Sequence, residues 1–338
     1  MRWPSAWTDT GILRDSAIEA ADPAQPGPDI AVVKGEWPGI RLSRNGAEAD
    51  SGPTGAPWID SNGFVARLAA ARNPGKAVWI DTAPPFGRPA SPHNYLIAMA
   101  DAAAFGARWI ISPDSALIGG LPQRDPRSVA IWDQIVTAAR FFGSHQEWNR
   151  WTPQALIGIL SDFKGPNEFF SQELLNLLDR AGMHNRVLLK GHLPPDPFRG
   201  LRAVLYADGE PLSPALRSQI GRLLIEKPKQ EDDPYVVAND AVVRVSHRYD
   251  LVRCWNSGAF ASNYVVAPDR SKAVVHMIFY ADRGPDSASV RVAGKWRAAK
   301  ISTVEQPEPR PVELQVQKNA VEVYLPQVSQ YVALQLEA

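Results

Sequence analysis

The chain has 338 residues, and its 36 basic and 36 acidic side chains leave a formal net charge of zero. That balance, with no basic stripe, argues against nucleic acid as a partner. One cysteine, Cys254, excludes an intrachain disulfide and any cysteine-based metal cluster.

The opening MRWPSAWTDTGILRDS is loop-like and reads as though upstream elements were missing. It lacks a charged segment followed by an apolar one, so no signal peptide is expected and the default compartment is cytoplasmic. No apolar run approaches a membrane span. Residues 1–150 then carry three β-type runs, DIAVVKGEW (29–37), KAVWIDTAP (76–84) and ARWIISPD (107–114). Helical patterns separate them: NGFVARLAAAR with Asn62 as its expected cap, then NYLIAMADAAAFGA ending at Gly106. SVAIWDQIVTAARFFGSH follows, with Gly143 as its expected stop. Strand and helix alternate, so a parallel sheet is expected. The spacing suits barrel units, but three strands fall short of the eight that close a barrel.

Residues 151–240 read as a doubly wound layer. Apolar runs in ALIGILSDF, RVLLKG, LRAVLYADG and LLIE alternate with helical segments, one containing Phe169, Leu174, Leu177 and Leu178 and stopping at Gly182. Ser213 and Pro214 resemble a cap followed by proline at the first helical position. RLLIEKPKQEDDPY mixes charges and reads as a solvated connector. Residues 241–338 switch to short alternating runs: AVVRVSH, SNYVVAP, KAVVHMIFYA, ASVRVAG, PVELQVQ, AVEVYLP and QYVALQLEA. Turn residues punctuate them, the pattern of an antiparallel β-sandwich. The fold class is thus α/β plus all-β: a partial (β/α) barrel-like region, a flavodoxin-like (glutamine-amidotransferase-like) layer and a terminal sandwich.

This order of parts resembles the family 42 β-galactosidases and related glycoside-hydrolase-like proteins. The best local match is PGKAVWIDTAPP, where Asp81 stands in the place of the family's nucleophilic Glu at the end of the seventh barrel strand. GARWIISPD is similar to the last strand, and DIAVVKGEWPG would correspond to the sixth, with Glu36 and Trp37 at its mouth. The resemblance implies a noncatalytic middle layer associated with trimer formation. Two departures stand out. Asp81 is one methylene shorter than the family's Glu, and the fourth strand that carries the acid/base Asn-Glu pair has no counterpart. The Asn167-Glu168 pair lies in the middle layer and does not correspond to it.

Glycosidic hydrolysis uses two carboxyl groups, one as acid and the other as nucleophile or base. Asp81, Glu36 and Asp114 each close a parallel run, at the strand ends where such folds place their chemistry. They are the candidate catalytic groups, with Trp37, Trp58 and Trp79 as candidate sugar-stacking platforms. The plainer alternatives are that Asp81 caps the loop before Pro84 and Pro85 and that the tryptophans fill cores. An amidotransferase needs a cysteine at the strand-to-helix elbow, but the corresponding turn reads SDFKGPNEF. A nucleotide or flavin loop would show clustered glycines, and only Gly165 is there. The six histidines, His93, His145, His184, His192, His247 and His276, show no metal-ligand spacing. No cofactor or metal is expected. The expected function is glycoside-hydrolase-like action on carbohydrate with paired carboxylates. The alternative is a noncatalytic, truncated or degenerate carbohydrate-binding or oligomerisation module. An incomplete barrel would leave an open strand edge, so a homo-oligomer is expected.

Overall fold

A computed structural model describes Ile18 and residues 22–40, 58–83, 89–226, 233–282 and 285–338. The opening stretch up to Ser16, the Pro84-Pro85 loop and the core of the charged connector lie outside the described residues.

The first layer contains β1 (Ile30–Lys34), the short pair β2 (Gly39–Ile40) and β3 (Ile59–Asp60), then α1 (Gly63–Arg72) and β4 (Ala77–Asp81). α2 (Pro92–Ala104), β5 (Ala107–Ile110), α3 (Ser115–Gly120) and α4 (Pro126–Ser144) complete it. β1, β4 and β5 form a parallel sheet in that order, with Lys34 opposite Asp81 and Trp79 opposite Arg108. Side chains alternate across a strand. Val78 and Ile80 pack in the core with Ala66 and Ala69 of α1 and Leu96 of α2, which puts Trp79 and Asp81 on the opposite face.

Local chemistry fixes the helix starts. α2 opens with a capping box, in which Ser91 accepts from the Asn94 backbone and Asn94 accepts from the Ser91 backbone. Asp125 caps α4 by accepting from Ser128 N at 2.9 Å, and Pro126 follows it. Asn62 departs from expectation: it sits at the cap position of α1 but makes no side-chain cap bond. α4 also runs through Gly143 and ends at Ser144.

After β6 (Thr152–Pro153) comes a second parallel sheet built from β7 (Ile157–Ser161), β8 (Asn185–Leu189), β9 (Ala203–Tyr206) and β10 (Leu224–Glu226). Its order is β10-β9-β7-β8. α5 (Glu168–Arg180) and α7 (Pro234–Val245) share a core with Ile157, Ile159 and Leu205. Leu160, Leu188, Val204 and Tyr206 belong to a separate core that includes Ile220 of α6 (Pro214–Ile220). One expectation fails here. AVVRVSH is the end of α7 and not a strand, because Val237, Ala238, Ala241, Val242 and Val245 recur at helical spacing behind an Asp233-Pro234 start. Phe169 is 74% exposed, and its neighbour Phe170 takes the buried position.

The C-terminal region is antiparallel throughout: β11 (Val252–Trp255), β12 (Phe260–Val266), β13 (Lys272–Phe279), β14 (Ala288–Ala293), β15 (Ala298–Ser302), β16 (Arg310–Val312), β17 (Leu314–Val316), β18 (Ala320–Leu325) and β19 (Tyr331–Glu337). One sheet runs β11-β14-β18-β17 and the other β16-β15-β19-β13-β12-β6, and the two share a core. β13 is buried on both faces. Val275, Met277 and Phe279 enter the core between the sheets, while Val274, Ile278 and the following Tyr280 pack into the core of the first layer.

Candidate functional site

Asp81 ends β4 with 1% of its surface exposed, and Lys34 Nζ donates to its Oδ2 at 2.5 Å across the parallel pair. Glu36 follows two residues beyond Lys34, with an exposed side chain and a fixed backbone. Asn62 fixes it: Nδ2 donates to the Glu36 carbonyl at 2.8 Å and Oδ1 accepts from Glu36 N at 3.0 Å. This explains why Asn62 does not cap its own helix. Its amide is spent on the β1 loop.

Asn62 is held in turn by Asp101 of α2, which accepts from Asn62 N at 2.7 Å, Ser61 Oγ at 2.7 Å and Tyr280 Oη at 2.5 Å. Burial pushes the Asp101 carboxyl above its ordinary range, and these donors offset only part of that rise. A single acidic residue inside the apolar helix NYLIAMADAAAFGA is the signal for this network, since a buried carboxylate requires donors.

Asp114 is placed differently. It is 3% exposed, and its carboxylate accepts from Ala90 N (2.9 Å), Tyr95 Oη (3.1 Å), Ala116 N (2.8 Å) and Leu117 N (3.0 Å). It is the N-cap of α3. Four donors occupy its acceptor sites.

Trp37 comes to the strand ends. Its Nε1 donates to the Ala83 carbonyl at 2.7 Å, and its ring meets Trp109 edge-on at 4.8 Å and Tyr95 at 5.3 Å. Trp109 Nε1 donates to Thr82 Oγ1 at 3.0 Å. The two indoles therefore hold the segment that leaves Asp81, one through the Ala83 carbonyl and the other through the Thr82 hydroxyl. Trp79 lines a cavity of about 430 Å³ along β5, together with Arg108, His145, Trp148 and His276; Asp81 is not part of this lining. Trp58 goes elsewhere: the Arg180 guanidinium lies 3.3 Å from its ring centre, and it packs on the core of the middle layer.

The ends of β7, β8 and β9 form the crevice where such a sheet would take a ligand, but its own side chains occupy it. Ser161 Oγ donates to Asp208 Oδ1 at 2.5 Å, and Lys190 pairs with the same carboxylate. Asn167 Oδ1 accepts from Gly209 N at 3.1 Å. The strained turn position with positive φ, where a nucleophile elbow would place its reactive group, holds the fully buried Phe163 at φ 54°. Among the described residues, no group of three or more His, Cys, Asp or Glu is placed to hold a metal ion, and no helix is long and apolar enough to cross a membrane.

No protein-family model matches the chain, and no curated protein matches it. Solved structures do. The chain superposes on α-L-fucosidase isoenzyme 2 from Paenibacillus thiaminolyticus with a TM-score of 0.52 at 10% identity, covering 85% of this chain and 64% of that one. It superposes on a rhamnosidase from Novosphingobium sp. PP1Y with a TM-score of 0.55 at 9% identity, covering 91% of this chain and 34% of that one. The fold is glycoside-hydrolase-like. One of these structures is a fucosidase and the other a rhamnosidase, so the family 42 resemblance gains no support of its own from them. The chain spans less than two thirds of either neighbour, and at such identities the likeness is one of fold.

Proposed function

We propose that this chain is a glycoside-hydrolase-like carbohydrate module whose chemistry sits where β1 and β4 end. The observation that carries the reading is the placement of Asp81, a buried carboxylate at the carboxyl end of a parallel strand, on the face opposite Val78 and Ile80. The three-stranded sheet is read as part of a (β/α) barrel, whose inner face carries the reacting groups at the carboxyl ends of its strands. The middle sheet then corresponds to the flavodoxin-like, amidotransferase-like layer without a nucleophile, and the terminal sheets to the sandwich.

In this reading Asp81 is the nucleophile or base, a role that suits a carboxylate beside the Lys34 ammonium. Glu36, exposed on the adjacent strand end, is the proton donor. Glu36 lies one strand over from Asp81, about 4.8 Å to the side, and two residues past the register partner Lys34, about 6.6 Å further along. The resulting separation of about 8 Å suits the roughly 6.5–9.5 Å of an inverting pair. Trp79 offers an aromatic wall to a cavity of about 430 Å³. Asp114 stays in its cap. Asp114→Ala is expected to cost about 0.5–2 kcal/mol of stability while leaving turnover of the folded protein intact. Asp81→Asn and Glu36→Gln are each expected to cut hydrolysis of aryl glycosides by about 10²–10⁴-fold. Unchanged turnover in Asp81→Asn removes that residue from the mechanism.

The second reading is a noncatalytic glycan-binding or assembly module. It is favoured by the filled crevice of the middle layer and the saturated carboxylate of Asp114. Sugar binding without turnover across a glycoside panel selects it. In either reading the edge of β5, which no strand pairs among the described residues, is a place for a second copy to associate, and a monomer by light scattering at micromolar concentration counts against that.

A further inference from the structure

The outer face of the β11-β14-β18-β17 sheet carries an arrangement that the strand-end chemistry does not use. Trp255 of β11 pairs in register with Ser289 of β14, and Ser289 pairs with Tyr324 of β18. Residues paired across a sheet share a face, and the opposite face, with Val252, Val290 and Val323, is the shared core. Trp255 and Tyr324 are 40% and 58% exposed. The next row reads Arg253, Arg291, Glu322 and Gln315 on the same outer side.

We propose that this face is a carbohydrate-binding platform for an extended chain of pyranose units, separate from the strand ends of the first layer. Two aromatic side chains two strands apart are spaced by about 9.6 Å, which matches alternate rings of such a chain. Each offers an apolar surface to the C–H face of a sugar. Ser289 lies between them, and the adjacent row supplies what hydroxyl groups need: guanidinium donors from Arg253 and Arg291, carboxylate acceptors from Glu322 and an amide from Gln315. The Arg253 guanidinium lies 5.4 Å from the Trp255 ring centre, and Gln317 Nε2 donates to Glu322 Oε2 at 2.8 Å, so the row already has positional order. A protein partner would call for a contiguous apolar patch, whereas here a serine and a charged row interrupt the aromatics. Glu322 offsets one of the two arginines, and the single remaining positive charge is too little for a polyanion site.

The test is a panel of immobilised hexasaccharides covering the pyranose backbones of β-glucan, xylan, mannan and galactan, probed with the full chain. At least one is expected to be retained. Trp255→Ala and Tyr324→Ala are each expected to weaken retention roughly three- to tenfold, the double variant to abolish it, and Trp255→Phe to keep most of it. Far-ultraviolet circular dichroism and the melting temperature of each variant are expected to match the parent. The proposal rests on the carbohydrate reading above but fails independently of it, because Asp81→Asn is expected to leave retention unchanged. No retention of any hexasaccharide, or retention unchanged in the folded double variant, overturns it. Retention lost in Asp81→Asn but kept in the double variant moves the sugar to the strand ends and also overturns it.

Discussion

Tyr280 donates its hydroxyl to Asp101 at 2.5 Å, and that contact ties the large antiparallel sheet to the loop that holds Glu36. The chain of contacts runs from Tyr280 through Asp101 and Asn62 to the Glu36 backbone. Three donors converge on the Asp101 carboxylate, so an amide there points N–H groups at other donors. Asp101→Asn is expected to destabilise the protein by about 1–3 kcal/mol in urea titrations. Tyr280→Phe removes one donor and should cost less.

Gly35 sits between Lys34 and Glu36 with no room for a side chain. A Cβ there would lie 2.4 Å from Asn62 Oδ1 and 2.4 Å from Ile80 Cγ2. Gly35→Ala must push Asn62 off the β1 loop or move β1 from β4. The expected cost is about 1–3 kcal/mol, with a loss of any hydrolytic activity beyond what the folded fraction explains. An alanine variant with parent stability and activity would show that this strand end is not built to the tolerance described.

His276 and His184 are buried, and desolvation lowers their pKa values to about 3 and about 4. His145 near His276 and Arg67 near His184 add to the depression. In the unfolded chain both bind a proton near pH 6.5. Below that pH the unfolded state therefore holds more protons, and stability falls as pH falls, by up to about 1.4 kcal/mol per unit for each histidine. Asp101 and Asp179, raised by burial, act in the opposite sense. The difference between the parent and His276→Gln isolates the histidine. Its melting temperature is expected to fall less steeply between pH 6.5 and 4.5 than that of the parent.

The strands of the first layer were readable because DIAVVKGEW, KAVWIDTAP and ARWIISPD combine β-branched residues with short length and turn residues at their ends. β13 was equally legible from KAVVHMIFYA. α7 was misread for the same reason: AVVRVSH is β-branched, and its helical period emerges only when Asp233-Pro234 is included as the start. The roles of Asp114 and Asn62 were not legible. A polar residue at a strand or helix end reads the same whether its side chain caps a helix, bonds to a distant loop or meets a substrate. Only the positions of Tyr95, Ala90 and the Glu36 backbone separate those cases. Lys34 was overlooked because its partnership with Asp81 depends on register between strands 47 residues apart.

The most direct measurement is the initial rate of aryl-glycoside hydrolysis by Asp81→Ala, with and without added azide, against the parent chain. A carboxylate that attacks or activates leaves a gap that a small anion can fill, so the variant should be nearly inactive alone and partly restored by azide. A variant that hydrolyses as fast as the parent without azide would place the chemistry away from β4.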